Sequence, residues 1–546
     1  MKLMKEYLLK VLSEAAISLG YSDSISNISL EKPKSSGHGD ISSNLALLLA
    51  GILKKNPMDI ANSLVKKLII DKNMIESVNV APPGFINFKF GVGYGTEIIE
   101  KILSDNENFG KSDVGIAKTV NVEFVSANPT GPLNIGHGRN AIIGDTVSNI
   151  FEFCGYKVTR EYYFNNAGRQ MRILGETVKH HYLEKLGKPS DFPTDGYEGE
   201  YLIDIAQLLL DDKGDSLVDS NDVTPFKEIA EKTIFADIQN TLKNIGISID
   251  KYSNEDELYS SGAIEDIVNK FRSENLAYDK EGATWLKSAA LGTDDDRVII
   301  KSSGEYTYRM PDIAYHIDKL RRNYDIIIDI LGADHHASFP DVVAAVGALG
   351  YESNKIQVLL HQFVTLTKGG KKIKMSTRKA NYVTLDELNS EVGSDVLRFF
   401  FLMRSINSHL NFEIDLAKKE SEENPVYYVQ YAFARISSVI RLAKERNVTF
   451  EHSNLSLLES KEETELIYSL GEFPELILNL QQNLHIHLLT SYLTEIAAQF
   501  SRFYEKHRIV SDDESFSAAR VNLCSATAIV LKNGLGLLGI TAPESM

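Results

Sequence analysis

The sequence predicts a multidomain α/β protein: a parallel-sheet domain carrying a helical insertion, a small α+β domain before it and an all-α bundle after it. Three observations lead there. The 546 residues are too many for one hydrophobic core, and domains of ~100–200 residues make three or four of them the expectation. Through the middle of the chain, strand-like runs alternate with helical periods, the pattern of a parallel sheet with crossover helices. From about residue 416 onward the apolar spacing is helical almost throughout.

In order, residues 1–112 form the first region. Leu3, Leu8, Leu9, Leu12 and Ile17 share one face of an amphipathic helix, and the segment from Asp59 to Leu68 also has helical spacing. Val78–Ala81 and Phe85–Phe90 alternate like two strands joined through Pro82-Pro83-Gly84. The second region, 113–385, opens on Thr119–Val125, a β-branched strand. Tyr156–Tyr162 alternates more weakly, and Ile326–Leu331 reads as a strand buried on both faces. Helical periods cover Asn140–Cys154 and Asp341–Leu349, and the mostly helical, acidic stretch 175–280 is expected to be an insertion. Residues 386–415 connect to the bundle, 416–546, whose longest periods are Leu488–Tyr504 and Ala518–Leu537.

Composition narrows the class. Hydrophobic residues at 43% and charged residues at 24% suit a globular protein. Apolar stretches fall far short of the ~20 residues a membrane helix needs, and the start lacks a signal-peptide core, so a cytoplasmic location is expected. Two cysteines, Cys154 and Cys524, are too few for a disulfide framework or a four-cysteine zinc site, so no structural zinc is expected and both read as core thiols. The net charge of −17 argues against bulk nucleic-acid affinity. It leaves room for a local basic track, because screening over ~8 Å makes local sign matter more than the total.

After Val125 comes a turn-rich stretch and then Asn134-Ile135-Gly136-His137, opening a helix. A strand, a glycine-bearing turn and a helix N-terminus make a phosphate site, because free amides and the helix dipole both face the anion. Gly136 permits close approach, and His137 is suited to donate to phosphate oxygens as charge builds. Between Lys368 and Lys379 the chain carries six basic residues and no acid. Mobile cations there would stabilise a departing pyrophosphate.

The run Ser126-Ala127-Asn128-Pro129-Thr130-Gly131-Pro132-Leu133-Asn134-Ile135-Gly136-His137-Gly138-Arg139 resembles the HIGH region of class I aminoacyl-tRNA synthetases in its arginyl form, with Asn134 in place of the first His. Lys374-Met375-Ser376-Thr377-Arg378 is similar to the KMSKS loop of the same class, with Thr377 and Arg378 departing from it. The resemblance implies a Rossmann-type catalytic domain. It implies catalytic roles for His137, Lys374 and Ser376, and ATP contacts at Asn134, Gly136, His137, Lys374, Met375, Ser376 and Arg378.

A guanidinium substrate needs carboxylates in fork geometry and an aromatic wall. Taken alone, Glu123 reads as a strand-end acid and Asp312 as a helix cap before Ile313. Thr307–His316 resembles the arginyl pocket segment, and the resemblance implies arginine binding by Glu123, Asn128, Tyr308 and Asp312. Gly332-Ala333-Asp334-His335-His336 is similar to the class's ribose segment, which implies ATP contacts at Gly332, Asp334 and His335. The His pair lacks the three or four converging ligands of a strong metal site, so no metal centre is expected there.

Asn79–Phe88 and the stretch from Lys34 to Asp40 look like the arginyl amino-terminal domain, which implies contact with the tRNA corner. Asn424–Ile436, with Phe433 in place of a usual His, and the ending Gly536–Met546 resemble the arginyl anticodon-binding domain. Tyr504 and Arg502 are candidate contacts to splayed bases. The family implies ATP as substrate, Mg2+ arriving with ATP, L-arginine and arginine tRNA as partners, a requirement for bound tRNA in the first step, and a monomer.

Overall fold

A computed structural model describes residues 2–21, 28–33, 36–166, 168–373, 383–449 and 453–546. The amino-terminal helix Lys2–Ser18 lies beside a four-stranded antiparallel sheet ordered Leu30–Glu31, Ile41–Ser43, Phe85–Phe90, Ile75–Ala81. Alternation in Phe85–Phe90 sends Ile86, Phe88 and Phe90 into the core with Ile41 and Ile75. This domain packs on the carboxy-terminal bundle. Phe90 meets Tyr468 edge-on at 5.1 Å, and Lys5 pairs with Glu475.

The central sheet has five strands, every neighbouring pair parallel: Ile356–His361, Ile326–Gly332, Thr119–Glu123, Lys157–Phe164, Lys251–Asn254. The chain adds strands outward on one side of Thr119–Glu123 and then returns to build the other side. This is doubly wound order, and it leaves a crevice at the carboxyl ends of Thr119–Glu123 and Ile326–Gly332, where the winding reverses. One buried carboxylate inside the sheet is well matched. Buried Glu161 accepts from Asn121 (2.6 Å), Ser253 (2.6 Å) and both terminal nitrogens of Arg322 (2.7 and 3.0 Å).

Two parts of the sheet region differ from the sequence expectation. Lys251–Asn254, inside the stretch expected to interrupt the sheet, is its fifth strand. Its four mostly polar residues at an edge carry no apolar alternation to betray it. A separate antiparallel sheet, Ala277–Lys280, Ala283–Leu286 and Arg297–Ile300, was likewise not anticipated. The helices Gly168–Lys185, Tyr201–Lys213 and Thr224–Asn244 form the helical part of the insertion.

Five helices of at least ten residues make up the bundle: Pro425–Glu445, Lys461–Leu470, Phe473–Asn483, His487–Lys506 and Glu514–Leu537. In His487–Lys506, Leu489, Leu493, Ile496, Phe500 and Phe503 recur at helical spacing and are all buried. Arg398, fully buried, ties four parts of the chain together. Its Nε donates to Leu538 O (2.6 Å), one terminal nitrogen donates to Ile245 O (2.9 Å), and the other pairs with Asp145. Cys154 and Cys524 are buried, and burial pushes the Cys154 thiol up to about 12. No described helix is long and apolar enough to cross a membrane.

Candidate active site

The crevice begins with a bend. Val125 and Ser126, just past the strand Thr119–Glu123, adopt left-handed backbone (φ 67° and 38°). A β-branched residue pays for such a conformation only when its surroundings hold it there. Asn140 supplies the hold: its Oδ1 accepts from Val125 N (2.6 Å) and its Nδ2 donates to Ile330 O (2.7 Å), stitching the two central strands together. The helix Ile135–Phe153 then runs back along the sheet. A Cβ on Gly144 would lie 2.1 Å from Phe124, so glycine is what lets the helix approach the strand this closely.

At the helix tip, Asn134 and His137 form a reciprocal cap. Asn134 Oδ1 accepts from His137 N (3.0 Å), and Asn134 N donates to His137 Nδ1 (3.3 Å). With Nδ1 accepting, the ring proton sits on Nε2. Burial, and secondarily His361, pushes His137 down to about 4, so the ring is neutral near pH 7. A neutral imidazole with a fixed outward N–H joins the first-turn amides of Ile135 and Gly136, which have no intrahelical acceptor. A cleft of about 280 Å³ opens here, lined by Asn128, Thr130, Asn134, His137 and Gln170 among others. Asn128 Nδ2 donates to Gln170 Oε1 (2.8 Å), and Arg169 pairs with Asp195 (2.7 Å) at the same cleft.

Acids gather on the other side. Asp312 lies in the first turn of the helix Arg309–Arg321. Burial raises its carboxyl, against His316 and His335, and no hydrogen bond to that carboxylate occurs among the described residues. Glu255, which the sequence reading missed, heads the helix Glu255–Ser260 at the end of the fifth strand. Burial and then Asp312 push it up to about 7, with the hydroxyls of Tyr259 and Tyr163 opposing. Two buried carboxyls, one raising the other beside the hydroxyls of Tyr259 and Tyr163, make a place for a cation. Its position just beyond the carboxyl end of a sheet strand is the signal that sequence reading could have used. Tyr308 is exposed at the rim, with the Arg309 guanidinium 4.9 Å over its ring.

Glu123 is differently placed. Its carboxylate is buried, paired with Lys319 and accepting from Ser126 Oγ (2.8 Å). Burial raises it, and Lys319 opposes. Glu123, His316 and Asp329 have the spacing of a three-ligand metal site, and the Lys319 ammonium contacts the two carboxylates of that set.

Gly332 ends the neighbouring strand and leads into the short turn Ala333–Ala337, where Asp334 and His335 are exposed on the crevice side of the sheet. Lys374, Met375, Ser376 and Arg378 lie outside the described residues. Past them, Thr384 bridges Asn134, and Leu385 N donates to Leu133 O (2.8 Å), so the chain re-enters beside the helix tip.

Comparison with known proteins agrees with this geometry. The family described as "tRNA synthetases class I (R), catalytic domain" matches residues 98–398, "Arginyl tRNA synthetase N terminal domain" matches 2–90, and "DALR anticodon binding domain" matches 429–546. A protein of Desulfotalea psychrophila named arginine–tRNA ligase is 48% identical over 100% of this chain and 99% of its own. The chain belongs to the arginyl-tRNA synthetase family. A Salinibacter ruber arginine–tRNA ligase is 45% identical over 100% of both chains. The crystal structure described as a putative arginyl-tRNA synthetase from Campylobacter jejuni superposes with TM-score 0.77 at 31% identity, covering 84% of this chain and 100% of that one. The Thermus thermophilus arginyl-tRNA synthetase shares the fold, with TM-score 0.76 at 20% identity over 99% and 100% of the two chains.

In this synthetase the bundle presents a ladder of rings and cations. Tyr427 and Tyr431 lie nearly parallel (9°, 6.3 Å), and the Arg435 guanidinium sits 4.7 Å over Tyr431 and 4.9 Å over Tyr504. Tyr504 is partly exposed, whereas Arg502 is ion-paired with Glu495 at 3.1 Å.

Proposed function

We infer that this chain works as an arginine–tRNA ligase through the crevice at the sheet's winding reversal. It activates L-arginine with ATP and transfers it to the 3′-terminal adenosine of arginine tRNA. One observation carries the assignment of the site: two buried carboxyls, Asp312 and Glu255, lie at the same sheet edge as the capped tip of the helix Ile135–Phe153.

The roles follow from the chemistry. Asp312 and Glu255 take the guanidinium, with Tyr308 at the rim. Glu123 and Asn128 take the α-amino end of arginine. His137 Nε2–H and the amides of Ile135 and Gly136 donate to the triphosphate, with Asn134 holding His137 in place. Gly332, Asp334 and His335 face the ribose. Lys374, Met375, Ser376 and Arg378 neutralise the pyrophosphate as it leaves. The arginine carboxylate attacks the α-phosphate, and the terminal adenosine of the tRNA then attacks the adenylate. Neither step needs a covalent enzyme intermediate, so positioning and charge stabilisation do the chemistry.

Mg2+ would arrive with ATP. Asp195, the one carboxylate among the described residues lining the cleft, is paired with Arg169, so phosphate oxygens and water rather than a protein cage would hold the ion. Residues 1–112 would meet the tRNA corner, 113–385 activate arginine, 386–415 connect, and 416–546 read the anticodon through Tyr504 and, less directly, Arg502. A cytoplasmic monomer suits this reading. The test is aminoacylation of total tRNA with each labelled amino acid. Arginine alone is expected to load, and loading of lysine in its place would overturn the reading.

A further inference from the structure

We propose that Lys319 is a positioning residue for the arginine site, a built-in cation that keeps Glu123 charged and aimed for substrate. The proposal rests on Glu123 belonging to that site. Lys319 is fully buried, and its ammonium pairs with Glu123 and lies 2.5 Å from Asp329.

A buried ammonium is costly unless carboxylates surround it. Here two do, Glu123 and Asp329, both from the set whose spacing would suit a metal ion. The groups facing Glu123 are Lys319, His316 and Tyr315 from the helix Arg309–Arg321, Asp329 from the strand Ile326–Gly332, and Tyr163 from Lys157–Phe164. The Lys319 ammonium also lies 4.5 Å over the Tyr315 ring, which stacks on Tyr163 at 4.2 Å.

The chain of contacts continues. Asp329 Oδ2 meets His316 Nε2 at 3.1 Å, and His316 Nδ1 meets the backbone oxygen of Asp312 at 2.6 Å. Lys319 therefore sits at the centre of one buried network joining Glu123 to the turn that carries Asp312. Asp329 is held well below the ordinary carboxylate range, burial being overcome by Lys319 and His316, so it stays charged. Glu123 is the member on which burial prevails. Removing the ammonium would remove the charge that opposes burial and shift Glu123 further toward its neutral form, weakening its attraction for a cationic substrate group. With it, Glu123 remains an acceptor whose two oxygens are oriented by Lys319 and Ser126.

The experiment compares full-length Glu123→Gln, Lys319→Met and the double variant, reading KM for arginine, KM for ATP and kcat in aminoacylation. Glu123→Gln is expected to raise the arginine KM about tenfold, the worth of one hydrogen bond to a charged group, and to leave the ATP KM unchanged. The double variant should match Glu123→Gln, because Lys319 acts through Glu123. Lys319→Met alone should show a raised arginine KM that falls as pH rises, because a carboxyl stripped of its neighbouring cation ionises less readily, a dependence absent from the double variant. If the double variant loses further in kcat and ATP KM, Lys319 is a structural residue and the proposal falls. That comparison stands even if Lys319→Met does not fold, because the double variant removes one buried charge of each sign. If Glu123→Gln leaves the arginine KM unchanged, the placement of Glu123 in the site fails, and the proposal with it.

Discussion

Glu255 is a carboxyl whose chemistry its surroundings reset. Its carboxyl, pushed up to about 7 by burial and Asp312, is partly protonated in the empty site near neutrality. A guanidinium pairs with the ionised form, so binding of arginine should expel the proton. The sign follows: an acid with a raised pKa offers less negative charge below that pKa, so the arginine KM should fall as pH rises from 6 through 8. Measured over that range, the slope should flatten in Glu255→Gln while KM itself rises about tenfold or more. An unchanged slope in that variant would place the titrating group elsewhere. His137 should contribute nothing to the same profile, since burial keeps it neutral throughout this range.

At the scale of elements, the tip of the helix Ile135–Phe153 does two jobs. Its cap stabilises the helix, and the same contacts orient the imidazole proposed to meet phosphate. Asn134→Ala removes the side-chain acceptor for His137 N and should cost about 1 kcal/mol in urea unfolding without ligands. Asn134→Ser, which restores an acceptor, should recover most of that. Equal losses in the two variants would show that the cap is not what Asn134 contributes. Asn134 stands where the family motif has histidine, and the capping geometry gives a physical reason that Asn serves there: a short side chain with an amide oxygen reaches the N3 amide.

At the scale of the whole molecule, Arg398 joins the sheet domain to the carboxy-terminal end. Arg398→Met would leave Leu538 O and Ile245 O without their donor and weaken the pairing of Asp145. A loss of about 3 kcal/mol or more is expected in chemical denaturation, with faster proteolysis at the carboxy-terminal end. A loss under 1 kcal/mol would mean that water replaces these contacts. Farther out, Tyr504→Ala should raise the KM for tRNA about tenfold, the scale of one lost base stack, while the KM values for arginine and ATP stay fixed. A change in the arginine KM instead would remove Tyr504 from the tRNA surface.

Read as letters alone, the chain already determined its fold class and its nucleotide-binding edge. Ile326–Leu331 announces a buried strand because β-branched residues occupy both faces, and the stretch from Ser126 to Arg139 announces a phosphate turn because its glycines, prolines and Asn134 are local chemistry. Lys251–Asn254 stayed hidden because a short polar edge strand buries too little to impose a pattern. Tertiary structure alone decided the cation pocket. Glu255 and Asp312 come from different segments, and only the winding of the sheet brings Asp312 close enough to raise Glu255. Lys319 lies on the same helix as Asp312, yet its role depends on Glu123 from one strand and Asp329 from another. Local chemistry is written in neighbouring residues, whereas desolvation and charge coupling belong to groups that meet only after folding.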